Sequence, residues 1–200
     1  MYLHHFLVCF PVTIKNATTG AITVTSGDKM AVEATGGAGI EGTAEVYVTQ
    51  VNRLKSDVDT NVNIVKTTIM IDLTGLKDGG TAGDIIGKDG SGVAFIGQVT
   101  TANQGTVFGV TMTCVETPAG GSTDIDLFSA TEGTGVNDTA IGDLTETQII
   151  NAGAASAGTV VAGGDIAADQ FLYLVSQGTG DATYTAGRFL IEITGFDAAS

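Results

Sequence analysis

The chain has 200 residues, 43% of them hydrophobic but only 15% charged, with 29 glycines, 30 threonines and two prolines. That is enough apolar material for one core, which excludes wholesale disorder, and threonine with glycine suits strands and turns better than helices. The net charge is −14, and from Asp89 to Gly187 eleven carboxylates stand without a single lysine or arginine. Phosphate backbones are bound by clustered cations, so nucleic acid is not an expected partner.

The opening segment MYLHHFLVCFPV is apolar but makes a poor signal peptide. It has no basic start, carries His4 and His5 inside it, and meets Pro11 without a small-x-small cleavage pattern. A bilayer takes about 20 apolar residues, so no membrane role is expected either. Tyr2, Leu3, Phe6, Leu7, Val8, Phe10 and Val12 crowd into this arm. Leaving apolar surface in water costs about 25 cal/mol per Å². The arm is therefore expected to be an interface with a neighbouring chain; the rival reading folds it back as a core strand of its own domain.

Further along, apolar residues recur with period two, the signature of half-buried strands. Ile22 and Val24, Met30 and Val32, then Val46 and Val48 form short runs broken by turns such as Ser26-Gly27-Asp28. The stretch from Val51 to Asn63 is the most polar and reads as a link between two regions, residues 1–60 and 61–200. Ile69, Ile71 and Leu73 alternate with Thr68, Met70 and Asp72. After a glycine-rich turn from Asp78 to Gly92, a strand is expected over Val93 to Thr101. Phe108, Val110, Met112 and Cys114 then share one face, and Ile125 and Leu127 another. Asp143 and Glu146 have capping-box spacing, with Gly153 to end a helix, so one short helix is expected near Leu144–Ala152. Phe171 to Val175 is apolar on both faces and reads as a central strand, and Phe189, Ile191 and Ile193 close the pattern. The expected fold is all-β: a two-sheet β-sandwich, jelly-roll-like, with an N-terminal β arm and one short helix.

Chemistry is scarce in this sequence. His4 and His5 are adjacent, so on a strand they point to opposite faces and cannot converge. Cys9 and Cys114 form no metal-ligand motif and are expected to be free thiols. The stretch from Gly83 to Asp89 fails the phosphate-loop spacing. Asp57, Asp59, Asn61 and Asn63 begin like a calcium loop, but Val62 stands where that loop needs glycine and Thr68 where it needs glutamate. Asp124 and Asp126 share a strand face and could hold a hard cation with loop oxygens, but a solvated strand face is the preferred reading. Trp is absent and aromatics are sparse, against a sugar-stacking platform. No catalytic residue, metal site or cofactor is expected, and the chain is not expected to be an enzyme.

The segments TIMIDLTGL (Thr68 to Leu76), FGVTMTCVETPAGGSTDIDLFSATEGT (Phe108 to Thr134) and FLYLVSQGTGDATYTAGRFLIEITGF (Phe171 to Phe196) resemble virion structural proteins of marine tailed phages. The resemblance covers about residues 64 to 197 and carries no site motif. It implies a virion location and a capsid decoration or cement role. It also implies homo-oligomers, with a trimer favoured, seated on partners such as the major capsid protein. The alternative is a cell-surface adhesin or carbohydrate-binding β-sandwich module.

Overall fold

A computed structural model describes residues 30–31, 44–54 and 62–198. Among these residues, eleven strands form two antiparallel sheets: β1 (Met30–Ala31), β2 (Ala44–Leu54), β3 (Val62–Asp72), β4 (Asp84–Ile85), β5 (Gly97–Val99), β6 (Thr106–Ala119), β7 (Ile125–Ala130), β8 (Glu146–Ile150), β9 (Val160–Gly163), β10 (Gln170–Ser176) and β11 (Ala186–Ala198). The first sheet runs β1-β2-β3-β11-β6-β9; the second runs β4-β10-β7-β8, with β5 also pairing β10.

This order is that of a long hairpin folded in half and rolled up. The outermost strands β3 and β11 pair in the first sheet, β4 and β5 with β10 in the second, β6 with β9 in the first, and β7 with β8 in the second. From β3 onward, with β4 and β5 counted together because both pair β10, successive strands switch sheets except across β7–β8, which is the jelly-roll topology expected from the sequence. β2 adds to the free edge of β3, from Ala44↔Ile71 to Leu54↔Val62, and β1 adds to β2. Of the polar stretch from Val51 to Asn63, Val51 to Leu54 lies in β2 and Val62 and Asn63 lie in β3, paired within one sheet.

The core lies between the sheets. Register aligns Ile71, Phe189 and Cys114 in one row, Ile69, Ile191 and Met112 in the next, and Thr67, Ile193 and Val110 in the third. Leu174, Leu127 and Ile150 form the facing row of the second sheet. All of these residues are buried. β10 is covered on both sides, as its unbroken apolar run predicts, because Glu132 to Leu144 lies over the sheet's outer face. There the Tyr173 hydroxyl accepts from Gly135 N at 3.2 Å and donates to the Glu132 carbonyl at 2.8 Å.

Three local expectations are corrected. The helix near Leu144–Ala152 is absent: Ile141–Asp143 is a single 3₁₀ turn and Glu146–Ile150 is strand β8. Glu132 takes both the Thr145 amide and hydroxyl at 2.9 Å, so Thr145 is tied to the preceding loop. Pairing with β7 then buries Ile150, a gain no isolated turn of helix offers. The strand expected over Val93 to Thr101 is formed only at Gly97–Val99, and a short α-helix, α1, follows at Thr101–Gln104. The Thr100 hydroxyl caps α1 by accepting from Asn103 N, and the Gln104 side chain reaches back to Thr100 N at 2.8 Å. Finally, Phe108 does not share a face with Val110. β6 has a bulge there: Thr194 opposes Gly109 and Gly195 opposes Val107, so Phe108 has no partner and turns outward.

Candidate functional site: a stapled loop end and an exposed sheet face

At one end of the sandwich the β3–β4, β6–β7 and β10–β11 connections meet. A single carboxylate joins them. Asp78, 1% exposed, accepts from Ser122 N at 2.9 Å and from Ala182 N at 2.7 Å. Tyr184, also buried, donates its hydroxyl to the Ser122 carbonyl at 3.1 Å, and burial, helped by the Asp78 charge, pushes its phenol far above the ordinary range. Gly120 makes the turn possible: at φ +89° it lies against the Thr183 carbonyl, where a Cβ would clash. Lys77 bridges Asp181 at 2.9 Å and Asp89 at 3.3 Å, and the Asp181 bond comes first among the contacts that raise its pKa. These groups are occupied in holding loops together.

The Asp124/Asp126 face is not solvated. Asp126 is buried, accepting from Gln148 Nε2 and from Ala152 N, both at 2.9 Å. It anchors β8 and the turn after it. Asp124 is half-buried, and its Oδ1 is fully buried with no hydrogen-bond partner. Burial first, then the neighbouring Asp126 charge, raises the Asp124 carboxyl above its ordinary value. Asp124 stands just before β7, close enough to feel the Asp126 charge, and Gln148 of β8 with the Ala152 amide closes over Asp126, which the local alternation does not show. Cys114 is a buried free thiol donating to the Glu116 carbonyl at 3.3 Å, and burial raises its pKa, so it stays protonated and inert. Among the described residues no group of three or more His, Cys, Asp or Glu side chains could hold a metal. No helix among them is long and apolar enough to cross a membrane. Tyr2, Leu3, Phe6, Leu7, Val8, Phe10 and Val12, with His4, His5 and Cys9, lie outside the described residues.

The outer face of the first sheet is where large apolar side chains meet solvent. Of the three register shifts between β6 and β11, two extrude Phe108 and Val115, 53% and 47% exposed, and Val160 on the edge strand β9 is 62% exposed. Phe196 packs against Phe108 with ring centroids 6.2 Å apart, and Leu190 and Met70 are half-buried beside rows of threonine. A bulge that turns a hydrophobic residue outward gives up burial, and here two of them leave large apolar side chains of one strand in solvent. No sequence periodicity predicts them, because a bulge breaks the period.

Compared with protein-family models, curated proteins and solved structures, the chain matches none.

Proposed function

We propose that this chain is a structural protein of a tailed-phage virion, a capsid decoration or cement protein that works through protein–protein assembly. It associates with itself, with a trimer favoured, and seats on other virion proteins such as the major capsid protein. The observation that carries this reading is the outer face of the six-stranded sheet, where a jelly roll turns Phe108 and Val115 outward on β-bulges. Jelly rolls serve viral capsid and lectin domains alike, so the fold supports the reading by analogy and the exposed face supports it by chemistry. The acidic surface fits an exterior part, since copies repel except where a specific contact wins.

In this reading the arm bearing Tyr2, Leu3, Phe6, Leu7, Val8, Phe10 and Val12 reaches a neighbouring chain or the capsid shell. Binding of purified protein to capsids lacking it tests the proposal. Saturable co-sedimentation at a fixed number of copies per shell is expected, and deletion of residues 1–12 is expected to weaken it. Absence of binding by the intact chain would refute the cement role.

A further inference from the structure

The charge distribution of the jelly roll is uneven in a way that bears on the exposed face. The outer face of the first sheet carries Lys66 paired with Glu192, and Arg188 held by Asp72 at 3.0 Å and Glu116 at 3.5 Å. Two cations thus offset three carboxylates within the face itself. Apart from the buried Asp78, Asp84 and Asp126, the remainder of residues 62–196 has nine carboxylates against Lys77 and Lys88 alone. Two copies of this chain approaching through any other surface would set like charges against each other, a repulsion effective within about a Debye length, roughly 10 Å at 0.1 M salt. This face is the near-neutral one.

Its extent also suffices. Strands β3, β11 and β6 at about 4.8 Å spacing, with about ten residues at about 3.3 Å each, and the four-residue β9 span roughly 500 Å², and β2 brings this to roughly 700 Å². Specific stable interfaces bury about 600–1,000 Å² per partner. The aromatic pair Phe108–Phe196 lies within it, and aromatics are enriched among the residues that dominate association energies.

We propose that the outer face of the six-stranded sheet is the self-association surface, covered by a second copy of this chain around Phe108, Phe196 and Val160. The inference deepens the assembly reading above. It is tested on purified full-length protein, so it can fail or succeed whether or not the chain is found in particles.

The test is light scattering and sedimentation velocity across a concentration series, on wild type and on Phe108→Glu/Val160→Glu. Wild type is expected to be larger than one chain, and to associate more tightly as salt rises from about 50 mM to about 500 mM, because screening removes the residual repulsion. The double variant is expected to be one chain in mass, with an unchanged β-type circular dichroism spectrum, since both side chains are exposed. Should the double variant fail to fold, Phe108→Ser alone is expected to raise the dissociation constant at least about ten-fold. Wild type remaining a single chain up to about 100 μM overturns the proposal, as it would if residues 1–29 of the same chain covered the face. So does a folded variant, double or single, that keeps the wild-type mass and affinity.

Discussion

Replacing Asp78 by alanine removes the one group that ties three connections together across 44 and 104 residues of sequence. The carboxylate is buried and accepts two backbone N–H bonds, and charge-assisted bonds of this kind contribute about 1.5–3 kcal/mol each. Ala182 N keeps a second acceptor, the Gly180 carbonyl at 2.9 Å, so truncation strands only the Ser122 amide. Removing a buried charge also returns part of its desolvation cost. The net loss is expected to be about 3 kcal/mol, a fall in Tm of about 6–12 °C for a chain of this length. Asp78→Asn keeps one acceptor but turns an NH₂ toward the second donor, and should lose about half as much. Thermal unfolding by circular dichroism reads the magnitude, and hydrogen exchange reads the location, with protection falling first at Ser122 and Ala182. A fall in Tm under about 2 °C for the alanine variant, or unchanged protection at both amides, would refute the stapling argument.

Tyr173→Phe removes a hydroxyl that bonds both Glu132 and Gly135, and is expected to cost about 1–2 kcal/mol and to speed exchange over residues 132–135 while β3 and β11 keep their protection. Asp124→Asn is expected to stabilise the fold. A carboxyl whose folded pKa is raised contributes stability at low pH that is lost as pH rises through that pKa. The variant should thus have a higher Tm than wild type at pH 7 and match it below about pH 4, the ordinary carboxylate range; a lower Tm at pH 7 would contradict this. Gly195→Ala places a methyl into the Gln104 carbonyl oxygen beside the second bulge and is expected to cost about 2–3 kcal/mol by chemical denaturation.

The strands that build the core were legible because their burial is one-sided and local. Ile69-Ile71-Leu73 and Phe189-Ile191-Ile193 alternate with polar residues, and each pattern is complete within five positions. The pairing of those two strands was not local, since β3 meets β11 from Val62↔Ala198 to Asp72↔Arg188. β8 was misread as helix because Leu144, Ile149 and Ile150 mimic an apolar helical side, while the contact that decides its fate, pairing with β7, is set by the fold. Asp126 on β7 reads as solvated because the groups that close over it, Gln148 Nε2 and Ala152 N, lie 22 and 26 residues along the chain. The extruded Phe108 was invisible for a different reason: alternation assigns it to the core, and only the register with β11 shows the extra residue.

The most direct measurement of the account is quantitative mass spectrometry of purified phage particles set beside the cell-envelope fraction of the same culture. The account predicts the chain in the particles, at a fixed copy number relative to the major capsid protein. Its presence in the envelope fraction and absence from particles would contradict the virion assignment and favour a cell-surface adhesin.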